Sequence, residues 1–156
     1  MKDHFTLCLW FDNQAEEAAV FYTSVFKNSK IESISRYGRE GFEIHGQKEG
    51  TAMTVAFTIN GQSFTALNGG PVFKFNEAVS IQVFCDSQEE IDYYWNRLTQ
   101  GGEESQCGWL KDKFGLSWQI IPSMLNELMS DPARSGRVTQ AFLKMKKFDI
   151  EKLKNA

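Results

Sequence analysis

Small polar side chains and large aromatic rings alternate with aliphatic side chains along short segments of the sequence. Successive side chains of a strand point to opposite faces, so each segment separates into an apolar face for a helix and a mixed face turned away from it. The mixed faces carry these side chains: Thr6, Cys8, Trp10, Thr65, Ser80, Gln82, Phe84, Ser117 and Gln119. Aromatic walls with a few placed polar groups are typical of small-molecule pockets. The alternative is a satisfied sheet face that the C-terminal helices cover.

Few residues are suited to nucleophilic catalysis, which needs a base beside a thiol or hydroxyl. The only histidines are His4 and His45, and the candidate thiols are Cys8 and Cys107. His45 lies in the Gly-rich, charged segment 38–50, which we expect to form a loop over the site, so we include it among the predicted ligand-binding residues. The alternatives are a solvated loop histidine and inert, buried thiols.

The elements that position these residues form a β-α-β-β-β unit in the first half of the chain. Residues Asn13 to Glu16 resemble a helix N-cap with Glu at the third helical position, followed by an apolar stripe at helical spacing. Asn60-Gly61 is typical of a type I′ hairpin turn. The predicted strands of this unit are 6–11, 31–37, 51–59 and 63–67.

A second unit repeats the pattern. Residues 79–85 predict a strand, and Ser87 to Glu90 forms a capping box before a helix that stops at Gly101-Gly102. The D-x-Q-x-E residues after the first strand recur 74 residues later, and G-x-S before an aromatic residue recurs at 115–118 after an offset of 54. Two matches in the same order indicate an internal duplication.

The fold class predicted is α+β, with paired βαβββ modules that form a curved, mixed sheet cup, followed by C-terminal helices. We expect one domain over 1–156, with modules at about 5–70 and 79–122 and helices over 123–150. In the last part, Val138, Ala141, Phe142 and Met145 form an apolar stripe that must bury against the sheet or a second subunit. We therefore expect a homodimer.

Composition excludes several functions. A net charge of −3, with no basic cluster before Lys144, argues against nucleic-acid binding. The three cysteines are odd in number and lack C-x-x-C spacing, so we expect reduced thiols. The apolar stretch near the N-terminus is too short for a signal or membrane segment. We expect a cytoplasmic protein that contacts no membrane and binds a small molecule.

Three motifs spread over nearly the whole chain resemble the PhnB-like family. They are the run from Leu9 to Tyr22 (LWFD…AEEAA-x-FY), Ala66 to Pro71 (ALNGGP), and Cys107 to Ile120 (CGWLKDKFG-x-SWQI). This family is often labelled 3-demethylubiquinone-9 3-methyltransferase and lies within the vicinal oxygen chelate superfamily of glyoxalases and bleomycin-resistance proteins. The resemblance implies a paired βαβββ fold with a cup-shaped site, usually in a homodimer.

The superfamily resemblance also implies a divalent metal held by His, Glu or Gln. The matching positions hold Ser80 in place of the expected His, Gln119 in place of the usual Glu, and Thr65 as its counterpart. We therefore predict no metal and no cofactor. The function expected is small-molecule binding or metal-independent catalysis; alternatives are a methyltransferase, a metal-dependent lyase or dioxygenase, and a structural dimer partner. No glycine-rich cofactor turn follows the first strand, where Asp12 to Ala15 stand.

Overall fold

A computed structural model describes residues 5–156 and divides the chain into two compact units, one ending at Lys74 and the other beginning at Phe75. His4 lies outside the described residues. Each unit contains a mixed four-stranded sheet, which confirms the predicted α+β class and the paired βαβββ modules. That the two units form one domain stays a prediction.

The first unit has the strand order β1-β4-β3-β2, with β1 parallel to β4 and the other pairs antiparallel. Its elements are β1 (Leu7–Phe11), α1 (Ala15–Val25), β2 (Lys30–Arg36), α2 (Phe42–His45), β3 (Ala52–Ile59) and β4 (Gln62–Asn68). Asn60 and Gly61 both have positive φ, as the predicted type I′ turn requires. The segment 38–50 is not wholly a loop, because it contains the one-turn helix α2.

Helix α1 packs its predicted alanine-rich stripe on β3 and β4. Ala18, Tyr22 and Val25 are buried, and the Tyr22 ring stacks on Phe57 with centroids 6.2 Å apart. The predicted cap at Asn13 to Glu16 is wrong, because no side chain of that segment caps the helix. Instead the Ala15 N–H donates to Asn68 Oδ1 at 2.8 Å, and Asn68 Nδ2 donates to the Ala52 carbonyl at 2.9 Å.

The second unit has the strand order β5-β8-β7-β6, again with a parallel central pair, β5 and β8. Its elements are β5 (Ser80–Cys85), α3 (Gln88–Thr99), β6 (Glu103–Glu104), β7 (Trp109–Lys111), β8 (Ser117–Pro122), α4 (Leu125–Ser130), α5 (Ser135–Phe142) and α6 (Ile150–Lys154). The predicted cap of α3 is confirmed: the Glu90 N–H donates to Ser87 Oγ at 3.2 Å. The last helix runs past residue 150, beyond the predicted helical end.

Strand register repeats between the units at the predicted offsets. Cys8 lies opposite Thr65 in the first sheet, and Gln82 lies opposite Gln119 in the second. These pairs are separated by 74 and 54 residues, the offsets read from the sequence motifs (82 − 8 and 119 − 65). The two units therefore share topology and register as well as short motifs.

The C-terminal stripe is mostly used inside the second unit. Val138 is fully buried, and the Phe142 ring packs edge-on against Phe148 at a centroid distance of 6.2 Å. Because the stripe has partners in its own unit, it no longer argues for a second subunit. Among residues 5–156, no helix is long and apolar enough to cross a membrane.

Candidate functional site

The sheet face turned away from α3 carries a hydrogen-bonded polar cluster in the second unit. Gln119 Nε2 donates to Ser80 Oγ at 2.8 Å, and Gln82 Nε2 lies 3.4 Å from Gln119 Oε1. The parallel register of β5 and β8 places these side chains side by side, because Ser80 pairs with Ser117 and Gln82 with Gln119. The structure thus brings together three of the predicted site residues. We call them the amide cluster.

Phe84 follows this cluster along β5 on the same face. It is 53% exposed, whereas Ile120 on the helix-covered face of β8 is fully buried. This difference agrees with the predicted register, since a shift by one residue would exchange the two faces. The second unit therefore offers an aromatic ring and three amide or hydroxyl groups on one accessible face.

In the first unit, Cys8 and Thr65 are neighbours across the parallel pair β1 and β4. Trp10 is half-buried on the same side of β1 and leans on the turn that follows β4. Its Nε1 donates to the Gly70 carbonyl at 2.8 Å, and its ring meets Phe73 edge-on at 5.0 Å. A Cβ at Gly69 would overlap the indole, so glycine there permits this placement. The convergence of the sites of both units on one cavity stays a prediction.

His45 is held within its own loop. Its Nδ1 accepts the Gln47 N–H at 2.9 Å, so Nε2 carries the proton and donates to the Glu40 carbonyl at 3.0 Å. The ring lies 4.5 Å from Tyr37, whose hydroxyl donates to the Asn68 carbonyl at 2.6 Å. Both ring nitrogens are therefore engaged, and action as a base would require one of these bonds to break.

A depression of about 440 Å³ lies next to the amide cluster in the second unit. Strand β7 supplies Trp109 and Lys111 to it, and β8 supplies Ser117, the register neighbour of both Lys111 and Ser80. Lys111 Nζ lies 2.5 Å from Glu77 Oε1. This hydrogen-bonded ion pair lowers the pKa of Glu77 and raises the pKa of Lys111.

The depression contains residues that the sequence did not assign to the site. Glu77, Glu103, Trp109 and Lys111 line it, whereas segment 103–111 had no predicted strand. The alternation within Trp109-Leu110-Lys111, with Leu110 buried and its neighbours half-buried, is the available signal for β7. Three residues are too few for such a pattern to stand out.

The donor set does not fit the divalent metal that the superfamily implies. The matching positions supply a hydroxyl, an amide and a second hydroxyl, and the Gln119 amide is already shared between Ser80 and Gln82. Among residues 5–156, no group of three or more His, Cys, Asp or Glu side chains is arranged to hold a metal ion. Neutral oxygen donors of this kind are weak substitutes for the imidazole and carboxylate ligands of transition metals.

Comparison with known proteins agrees with the sequence motifs. The family model for 3-demethylubiquinone-9 3-methyltransferase matches residues 3–121. A solved PhnB protein from Bacillus cereus is 39% identical, with a TM-score of 0.69 over 77% of this chain and 99% of that chain. The predicted family resemblance is therefore confirmed. No curated protein matches.

Two further solved structures share the fold at low identity. Protein PA1353 from Pseudomonas aeruginosa is 18% identical, with a TM-score of 0.59 over 76% of this chain and 96% of that chain. The fosfomycin resistance protein FosX from Listeria monocytogenes, complexed with Mn(II) and sulfate, is 16% identical, with a TM-score of 0.55 over 83% and 96%. These likenesses extend to the fold alone.

Proposed function

We propose that this chain, which belongs to the 3-demethylubiquinone-9 3-methyltransferase family and has the vicinal oxygen chelate fold, binds a small organic molecule without a metal. The observation that supports this proposal best is the amide cluster of Ser80, Gln82 and Gln119 on an accessible sheet face. Neutral hydrogen-bonding groups stand where the superfamily resemblance implies metal ligands.

The hydrogen bonds of the cluster differ in strength, and this difference indicates where a ligand atom enters. The bond from Gln119 to Ser80 is 2.8 Å long, whereas that from Gln82 to Gln119 is 3.4 Å long and therefore weak. Gln82 is also exposed. A ligand carbonyl or hydroxyl oxygen displaces the weaker contact at low cost and accepts from the Gln82 amide. Phe84 provides apolar surface beside it.

The corresponding positions of the first unit belong to the same proposal. Cys8 and Thr65 occupy the register positions of Gln82 and Gln119 and carry smaller side chains, with Trp10 as the aromatic group. We propose that these residues, with the loop held by His45, also contribute to ligand binding. Whether binding leads to catalysis is a separate question, because the amide cluster itself contains no group that changes charge near neutral pH.

We also propose that the chain forms a homodimer. Four apolar side chains of the first unit, Phe42, Ile44, Val72 and Phe73, are each more than half exposed, and large exposed apolar surface commonly marks an interface. Sedimentation of the purified chain and of an Ile44→Glu variant tests this. A monomeric wild-type chain at micromolar concentration refutes it.

The binding proposal is tested by native mass spectrometry of the purified chain, followed by calorimetry with any molecule that co-purifies. We expect Gln119→Ala to weaken binding by about tenfold to a hundredfold, because it leaves polar groups unpaired. Gln140→Ala, at an exposed position of α5, is the matched control and leaves binding unchanged. A chelator should have no effect. A stoichiometric metal that is lost in Gln119→Ala would overturn the proposal.

A further inference from the structure

Ser117 presents a buried hydroxyl without a partner to the depression beside the amide cluster. The residue is fully buried, and its Oγ makes no hydrogen bond within the described chain. It lines the depression together with its register neighbour Lys111. An unpaired buried hydroxyl costs free energy, about 1–3 kcal/mol in mutational studies, unless a ligand or water satisfies it. The group is therefore positioned for a ligand polar atom.

The charges around the depression leave one carboxylate unmatched. Three glutamates and one lysine line it, a net charge of −2. Lys111 is paired with Glu77 at 2.5 Å. Glu104 accepts the Trp95 Nε1–H at 2.9 Å and has Lys146 at 4.0 Å.

Glu103 is the exception. Its carboxylate makes no hydrogen bond or ion pair with any residue among 5–156, although its charge acts on its register neighbour Lys111. An anionic ligand would meet this net negative field and would have to separate Lys111 from Glu77. A cation meets no such obstacle at Glu103 and gains the unmatched charge.

Trp109 completes the set of recognition groups. Its half-buried side chain lines the same depression and pairs in register with Gln119 of the amide cluster. The face of an indole attracts a positive charge and stacks on planar groups. A volume of about 440 Å³ lies within the range of small-molecule sites.

We propose that this depression binds a small aromatic amine in its protonated form that also carries a hydroxyl or carbonyl oxygen. The ammonium lies near Glu103, the apolar body contacts Trp109, and the oxygen pairs with the Ser117 hydroxyl. This inference rests on the proposed function, because it names the ligand class of the same accessible sheet face.

The test uses probes of matched size in calorimetry: 2-amino-1-phenylethanol, its neutral counterpart 1-phenyl-1,2-ethanediol, the anion mandelate, and 2-phenylethylamine, which lacks the hydroxyl. We expect the amino alcohol to bind about tenfold more tightly than the diol, from the combined ion pair and cation–π contact. Mandelate should bind most weakly. Added salt should weaken binding of the two amines and leave the diol unchanged.

Variants separate the three contacts. Glu103→Gln should remove the preference for amine over diol, with Glu89→Gln on exposed α3 as the matched control. Ser117→Ala should weaken the amino alcohol by about threefold to tenfold and leave 2-phenylethylamine unchanged. Trp109→Ala should weaken all four probes. Near-ultraviolet circular dichroism verifies that each variant is folded.

Equal affinity for amino alcohol and diol, or tightest binding of mandelate, would overturn the ligand class while the proposed function stands. Absence of binding by all four probes would also overturn it. If Gln119→Ala likewise fails to affect a co-purified molecule, the proposed function fails as well. The two failures are therefore distinguishable.

Discussion

The buried carboxylate of Asp112 is expected to hold the turn between β7 and β8, and therefore the strands that carry Lys111 and Ser117. Asp112 is 2% exposed. Its Oδ1 accepts the Phe114 and Leu116 N–H groups at 2.8 and 3.1 Å, and its Oδ2 accepts the Trp118 indole N–H at 2.8 Å. Trp118 itself is 1% exposed, so the indole has little access to water.

Asp112→Asn replaces one acceptor oxygen with an amide donor. If Oδ1 keeps the two backbone bonds, the new Nδ2 faces the Trp118 indole, and two donors then oppose each other. An unsatisfied buried polar group costs about 1–3 kcal/mol, and we expect the free energy of unfolding to fall by about 2–3 kcal/mol. Asp112→Ala leaves all three donors without this acceptor, and we expect a loss of about 3–5 kcal/mol.

A double-mutant cycle isolates the contact between the carboxylate and the indole. Trp118→Phe removes the donor, so in that background Asp112→Asn should cost less, with a coupling energy of about 1–2 kcal/mol. Urea denaturation of the four proteins, monitored by far-ultraviolet circular dichroism, measures the cycle. Additive effects within about 0.5 kcal/mol would show that Asp112 does not act through the indole.

Three further perturbations test other parts of the structure. Burial, with smaller effects from nearby carboxylates, raises the pKa of the Cys85 thiol to about 12, above its ordinary value of 9.0; its stabilising contribution is present below pH 9 and declines between about pH 9 and 12, and denaturation curves of Cys85→Ala should lack that part of the decline. Gly69→Ala should displace the Trp10 indole from the Gly70 carbonyl and change the tryptophan fluorescence, and an unchanged spectrum would contradict the packing. Asn68→Ala should lower the free energy of unfolding by about 2–4 kcal/mol through the loss of two buried hydrogen bonds, whereas a loss below about 0.5 kcal/mol would show that Asn68 does not cap α1.

Local patterns were sufficient for most of the fold. The Asn60-Gly61 turn, the Ser87 cap and the alanine-rich stripe of α1 depend on residues close together in the chain, and each is found as predicted. The internal offsets of 74 and 54 residues also predicted the repeated register. Alternation along β8 correctly separated buried Trp118 from accessible Gln119.

The rest depends on contacts that a linear pattern does not contain. The cap of α1 comes from Asn68, 53 residues away, which left the nearby polar residues as a misleading cap. The short strands β6 and β7 show too little alternation, so Trp109 and Lys111 were missed. The sequence placed Ser117 on the correct face, but only the packed structure shows that its hydroxyl is buried without a partner.

The wall of the depression depends on backbone that is synthesised much later than the strands beside it. The Cys107 and Gly108 N–H groups donate to the Met145 and Lys146 carbonyls at 2.8 and 2.7 Å, and a Cβ on Gly108 would press against the Phe148 ring. Chains fold from the N-terminus during translation, so the sheet of the second unit can pair before this segment leaves the ribosome. Cys107, which lines the depression, is therefore fixed in place last, and a nascent chain acquires its sheet before it acquires a finished binding surface.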